Sequence, residues 1–371
     1  MTMTAAMLDA IAALARRCEE REARAPDAFS QDSFDDVTRS GLLLAPLEES
    51  MGGQSWTLAQ SVDAIETLAR HSPSFALLAS MPLGLAGVVA SIAPVTPAPH
   101  AAGWAEQAGA FAASVRAGHW YAAANSEKGA GGSLDALKTV AARDADGTWR
   151  VTGEKILASS GRYATYFFSL AKVDAADLPG AGIAEMFFLR TDAPGVDILH
   201  DWDGFGMRPT ESHTVRYDGA TAERLFAFPG FLGIVQPLPY WFCLFAAIPL
   251  GAAWSLLDAL ATPAPSSPAL RLRLSEALMR YEALRAYLME TAAAWRAGAG
   301  PEYAARVLRT KTYVTQESTK LCAELFALSG GRHYRREGRL ARALADSFAG
   351  TALRPPLPLA LDTLVDNFAL P

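Results

Sequence analysis

The feature that most constrains this 371-residue chain is a change of hydrophobic rhythm that happens twice. Up to about Arg116 the apolar residues recur at helical spacing, as in Leu58, Val62, Ile65 and Leu68 between Thr57 and Arg70. Ser72-Pro73-Ser74 reads as a stop and restart, with a largely buried helix from Phe75 to Ala90, and the Pro-rich stretch Ala93 to His100 reads as a loop. Near His119 the runs become short and rich in aromatic or β-branched residues. They include Trp120 to Ala124, Val140 to Arg143, Trp149 to Val151, Tyr166 to Leu170, Met186 to Leu189 and Thr214 to Tyr217. Asp146-Gly147 between two of them is a hairpin signal. After Phe231 the helical period returns, over Leu272 to Ala294, Pro301 to Leu328 and from Asp346 onward. The expected fold is mainly α with inserted β. An N-terminal helical domain spans 1–116, a small β-domain 117–222 and a C-terminal helical bundle 223–371.

Composition narrows the class. Apolar residues make up 51% and charged ones 19%, which suits a chain with a large core. A net charge of −6 argues against a general electrostatic role on nucleic acid. Cys18, Cys243 and Cys322 are too far apart for a CxxC pair, so no metal site is expected and the thiols read as buried, in a reducing cytoplasm. Met7 to Arg24 interleaves apolar and charged residues as an amphipathic helix, unlike a signal peptide. No charged side chain occurs between Arg224 and Asp258, long enough to cross a bilayer. Four prolines interrupt that run, and Trp241 to Leu260 is better read as one buried helix than as a membrane span.

Four motifs follow in fixed order: Asn125-Ser126-Glu127-Lys128-Gly129-Ala130-Gly131-Gly132, Gly153 to Gly161, Gly206-Met207-Arg208-Pro209-Thr210-Glu211-Ser212, and Ser329-Gly330-Gly331-Arg332-His333-Tyr334. Together they resemble the acyl-CoA dehydrogenase superfamily of flavoproteins, which implies an N-terminal helical domain, a middle β-barrel-like domain and a C-terminal four-helix bundle, assembled as dimers or tetramers. The resemblance implies FAD, with FMN or no flavin as alternatives. It implies a cofactor-contacting set of Ala124, Ser126, Gly131, Gly132, Leu157, Ser159, Gly330 and Gly331. Ser159 takes the place of the family's flavin-contacting Thr and keeps a hydroxyl donor, while Leu157 replaces an aromatic wall. Arg208 sits where the family fixes the interface between domain and helices or contacts ligand. Gly330-Gly331 matches the family's pair whose amides face the dinucleotide pyrophosphate of a neighbouring subunit, and Ala327 and His333 replace the Gln and Gly of that clamp. The family's Arg-x-x-x-Phe-Gly grip on adenosine is not found, and Thr262 to Pro268 occupies that region.

The proton-abstracting Glu is absent from both places the family uses. Counting from Asp346 puts Arg354 at one, and registering on Pro249-Leu250-Gly251 puts Trp241 at the other. Arg354 stays protonated and serves as a substrate-binding candidate together with Arg208, not as a base. Three readings follow from the resemblance. One is a flavin oxidoreductase acting on an acyl-CoA or acyl-carrier thioester with a relocated base and an electron-transfer flavoprotein as partner. The second is a flavin monooxygenase of the same fold, fed by a flavin reductase. The third is a non-catalytic paralogue.

Overall fold

The computed structural model describes residues 3–366. Five helices lead: α1 (Ala5–Arg24), α2 (Gln31–Arg39), α3 (Leu58–Ala69), α4 (Pro73–Ile92) and α5 (Ala101–Arg116). Their boundaries follow from capping. The Thr57 hydroxyl accepts the Gln60 amide while the Gln60 side chain accepts from the Thr57 amide, a reciprocal box that starts α3. Ser72 caps α4 by accepting the Phe75 amide at 3.1 Å, and Pro73 occupies the first turn, where no amide is needed.

Eight strands form the middle: β1 (Tyr121–Ala123), β2 (Val140–Arg143), β3 (Trp149–Ala158), β4 (Tyr166–Val173), β5 (Glu185–Arg190), β6 (Val196–Ile198), β7 (His213–Thr221) and β8 (Arg224–Leu225). They build one curled sheet in the order β6-β7-β3-β2-β4-β5-β8, with β1 pairing β4. The Asp146-Gly147 hairpin joins β2 to β3, closing on the Arg143–Trp149 pair, with Gly147 at φ 86°. The β3–β7 ladder is irregular between Lys155 and Ala158, and Leu157 there adopts φ 59°. Such an irregularity re-aims a side chain at a sheet rim.

The remaining helices are α6 (Phe231–Val235), α7 (Leu238–Ala261), α8 (Pro268–Ala293), α9 (Pro301–Leu328), α10 (Arg339–Ser347), α11 (Ala349–Ala352) and α12 (Leu357–Asp366). The strongly apolar α7, with Asp258 near its end as its one charged residue, is the hub, packing on α3, α4, α8, α9 and α10. Gly251 lets it approach α3, because a Cβ there would lie 2.6 Å from the Glu66 carbonyl. By length and composition α4 with its following turn, and α7, are apolar enough to cross a membrane, yet 89% and 78% of those windows are buried in the protein.

The helix expected from Asp346 onward is broken. It ends at Ser347, resumes for one turn, and then unwinds over Leu353 to Pro356. Proline at 355 and 356 removes two amide donors, and the free carbonyls there find a lysine, described below. The short strands β6 and β8 carry too few residues to show a period, and β8 lies beyond residue 222.

Candidate functional site

Between the curled sheet and α4, α7, α10 and α11 lies a cavity of about 270 Å³. We call it the chamber. Ser126, Leu157, Ser159, Trp241 and Arg354 line it, so five positions from distant motifs meet. Phe168, Trp202, Phe205, Phe242, Phe245 and Phe348 supply further aromatic wall. Trp241 occupies the position on α7 at which the resemblance would place a carboxylate. Its ring lies 5.7 Å from Phe168 and its indole donates to the Met81 carbonyl at 3.3 Å. Gly84 makes room for it, since a Cβ there would fall 2.2 Å from the indole nitrogen.

The sheet side is held by a buried ion pair. Lys155 Nζ donates to Glu127 Oε1 at 2.6 Å and to the Leu170 carbonyl at 2.7 Å, and both charged side chains are almost fully enclosed, at 0% and 2% exposure. Glu127 also accepts the Thr139 hydroxyl and the amides of Lys138 and Thr139. Burial alone would raise the Glu127 pKa, but these donors bring it down to about 2. The Ile156 amide donates to the Ser126 carbonyl at 2.8 Å. The two motif segments are thus bolted together directly behind Ser126 and Leu157. Leu157 itself is 47% exposed and faces the chamber.

Ser159 differs from its expected role as a donor. Its Oγ lies 2.8 Å from Ser212 Oγ, which lies 2.6 Å from Thr210 Oγ1, which donates to the Met207 carbonyl at 2.7 Å. One proton per hydroxyl fixes the direction: Thr210 gives to Met207, Ser212 to Thr210, and Ser159 to Ser212. Ser159 therefore spends its proton internally and offers lone pairs to the chamber. It suits an N–H on a bound ring.

Arg354 enters from the unwound segment after α11. The buried Lys311 amine on α9 donates to the carbonyls of Leu353 (2.9 Å) and Pro355 (2.7 Å), clamping the backbone on either side of it. Burial pushes Lys311 down to about 7, and both of its protonation states retain these two donors. The Arg354 Nε and Nη1 atoms are buried without an acceptor, and Nη2 reaches only the Asn125 carbonyl at 3.5 Å. Burial lowers the guanidinium pKa, yet an arginine remains charged. Among the described residues Arg354 is the one ionisable side chain lining the chamber.

Other expected contacts lie elsewhere. Ala124 is fully buried, its carbonyl taken by Ser169 Oγ at 2.7 Å. Gly131 faces open space, and Gly132 packs on Pro356, which a Cβ would approach to 2.6 Å. Gly330 and Gly331, which the resemblance turns toward the cofactor of a neighbouring subunit, are exposed on this chain, with nothing within 4 Å of an added Cβ. None of these five lines the chamber. Arg208 is ion-paired with Asp27 and lines a neighbouring cleft instead. Glu127, Lys155, Lys311 and Trp202 were not singled out from the sequence. The first two stand inside the quoted motifs, and that shared placement was the available signal.

Trp202 is set by His213, whose Nδ1 accepts the Trp202 amide at 3.0 Å while Nε2 donates to Glu211 at 2.8 Å. His200, Glu211 and His213 sit close enough to hold a metal, but both His213 nitrogens are already used. The three cysteines are buried and unpaired, and burial pushes each thiol up to about 12.

The chain is similar to known proteins in sequence profile and in fold. The profile "Acyl-CoA dehydrogenase, middle domain" matches residues 122–220, and "Acyl-CoA dehydrogenase, C-terminal domain" matches 243–353, together more than half of the chain. The amino sugar nitrososynthase DnmZ of Streptomyces peucetius is 35% identical over 86 residues, 23% of this chain and 21% of that protein. The probable acyl-CoA dehydrogenase YngJ of Bacillus subtilis is 23% identical over 235 residues, 60% of this chain and 61% of that one. The matched stretches therefore span less than two thirds of either relative. Among solved structures, KijD3 in complex with FMN and a dTDP-linked amino-keto sugar superposes with TM-score 0.83 at 22% identity, covering 97% of this chain and 92% of that one. FMN-bound TdsC from Paenibacillus sp. A11-2 gives 0.81 at 20%, with 98% of each covered. Butyryl-CoA dehydrogenase from Megasphaera elsdenii gives 0.82 at 18%, covering 99% and 98%. Profile matches, sheet between helical blocks and a chamber at their junction converge: the chain belongs to the acyl-CoA dehydrogenase superfamily.

Proposed function

We propose that this protein is a flavin-dependent monooxygenase of the acyl-CoA dehydrogenase fold, and not a thioester dehydrogenase. The observation that carries the reading is the wall of the chamber. Removing an α-proton from a thioester needs an ionised base within hydrogen-bond reach. No carboxylate, histidine, cysteine, lysine or tyrosine lines the chamber among the described residues, and the two usual positions hold Arg354 and Trp241. Oxygen transfer has no such requirement.

The chamber fits an isoalloxazine ring on three counts. It is open and mostly apolar, Ser159 presents lone pairs, and Arg354 presents buried donors with no acceptor of their own. An unpaired buried cation costs several kcal/mol, a cost that a bound electron-rich group offsets. Ser126, Leu157 and Ser159 would hold one face of the ring, with Trp241 and Arg354 on the helical side. When bound, the reduced flavin supplies two electrons to O₂, so that one oxygen atom goes to substrate and the other leaves as water. The chain's own part is to exclude water with its aromatic wall, orient the substrate, and keep a fixed positive charge beside developing negative charge. FMN suits this chain better than FAD, because the adenosine grip is missing and Ala327 and His333 replace the Gln and Gly of the dinucleotide clamp. The FMN complexes of KijD3 and TdsC support that choice, and the reduced flavin then comes from a separate reductase.

The test is anaerobic mixing of the flavin-loaded protein with acyl-CoA thioesters of several lengths. The expected result is no bleaching, whereas a flavin reductase with NADH supports oxygen uptake that a substrate couples to product. Rapid bleaching by any acyl-CoA overturns the proposal. The substitution Arg354→Glu is the complementary probe: thioester-dependent reduction appearing in that variant assigns the position of the lost base.

A further inference from the structure

Arg354 has more hydrogen-bonding capacity than the protein uses. A guanidinium carries five N–H groups on a planar fork. One of them, on Nη2, reaches the Asn125 carbonyl at 3.5 Å, while Nε and Nη1 are buried with no acceptor. Its charge is unmatched as well. Glu127 is the acid whose field reaches it, but Lys155, the Thr139 hydroxyl and two backbone amides already occupy the Glu127 oxygens. Lys155 and Glu127 cancel, which leaves the Arg354 charge facing the chamber alone. No aspartate, glutamate or histidine lines the chamber among the described residues, so nothing there receives an ammonium group. Much of the remaining wall is aromatic. Phe168 and Trp241 lie within 28° of parallel at 5.7 Å, and Phe242, Phe245 and Phe348 also line it.

We propose that the substrate of this chamber is an aromatic monocarboxylic acid without a cationic group, held by its carboxylate on Arg354 and by its ring among the aromatic side chains. A carboxylate is planar, its two oxygens match paired N–H groups of a guanidinium edge, and it brings the one negative charge the wall lacks. A flavin carbonyl accepts a hydrogen bond but brings no full charge. A phosphate monoester brings about 1.5–2 negative charges at pH 7, more than a lone cation matches. The neutral amide of the same acid has nearly the same shape but leaves the cation unpaired, so charge and not size decides between them. Lys311 holds the carbonyls on either side of Arg354, which presents the fork from a fixed backbone. Calling this ligand the substrate rests on the monooxygenase reading; the preference for an aryl carboxylate does not.

The experiment titrates benzoate, phenylacetate and 3-phenylpropanoate, each beside its primary amide, into the full-length protein with and without bound FMN, by calorimetry. At least one acid is expected to bind the FMN-loaded protein about tenfold or more tighter than its amide. Arg354→Leu should abolish that preference while leaving the affinity for the amide within about threefold. Arg354→Gln, neutral yet still a donor, should abolish it too and serves if the leucine variant does not fold. Failure of all three acids to bind, equal binding of acid and amide, or a preference that survives the substitutions overturns the proposal. A preference seen in the flavin-free protein and erased by FMN pairs Arg354 with the flavin, and overturns the assignment to substrate. If the protein takes up no FMN, the monooxygenase reading fails while the flavin-free titration still judges the carboxylate site.

Discussion

The chamber and the neighbouring cleft that Arg208 lines share Phe205, Gly206 and Ala345, but their charges are arranged on opposite terms. Behind the chamber the charges are enclosed and cross-braced, Glu127 by Lys155 and three further donors and Lys155 also by the Leu170 carbonyl, and the lining carries a single cation. In the cleft several charges stand open to water on a turn with few fixed partners, Arg336 among them at 71% side-chain exposure. The difference teaches where precision is needed. A ring that must be oriented for chemistry calls for rigid walls, whereas charges left open to water act only through the field they share.

That contrast can be broken by substitution. Lys155→Met should have the largest effect, because it leaves Glu127 buried with its main partner gone. A loss of about 3–5 kcal/mol in denaturant unfolding is expected, with flavin uptake lost as well. A loss below about 1 kcal/mol would mean the brace does not hold the sheet side of the chamber. Next is Arg354→Leu, which removes an unpaired buried cation. The two readouts should move in opposite directions. Thermal stability stays equal or rises, while ligand affinity falls by about 10- to 100-fold, the worth of a charged hydrogen bond. A variant that loses both would show that Arg354 props the fold instead.

Glu22→Gln should sharpen the picture at the cleft, which Glu22 lines. Burial raises the Glu22 pKa from 4.5 to about 8, so the folded state holds a proton that the unfolded chain releases. Stability from this group is complete below pH 4.5 and drains away as pH rises to about 8. The variant should therefore melt higher than the parent at pH 8, by on the order of 1–2 kcal/mol, and alike at pH 4.5. The smallest effect is expected from Gly331→Ala, where an added Cβ meets nothing within 4 Å. Stability should stay within about 0.5 kcal/mol and FMN affinity should not change. A drop in flavin affinity would place that turn back in the cofactor site.

Much of this fold was legible in the sequence because its signals are local. The helical run that begins at Thr57, the restart at Ser72-Pro73 and the Asp146-Gly147 hairpin each act within a few residues, and each appears where its chemistry puts it. The absence of a base was equally legible, since it needs only a residue identity at a counted position. The proton direction at Ser159 was not. It depends on Ser212, Thr210 and the Met207 carbonyl, which sheet pairing brings together across 53 residues. Nor could the sequence show that Arg208 lies outside the chamber, because motif order carries no information about which cavity a side chain faces. The unwinding at Leu353 to Pro356 needed Lys311, 42 residues upstream of Leu353, to receive the freed carbonyls.

The grip of Lys311 on the main chain has a further consequence. It seizes the peptide groups flanking residue 354 and touches nothing of that residue's own side chain. The direction in which position 354 projects is thereby decoupled from its identity, so the slot behaves as a socket that accepts different plugs. A single codon change there can exchange a proton acceptor for a fixed cation without rebuilding the scaffold. Divergence of reaction type on such a frame then requires few steps, and the intermediate proteins stay folded while the chemistry changes hands.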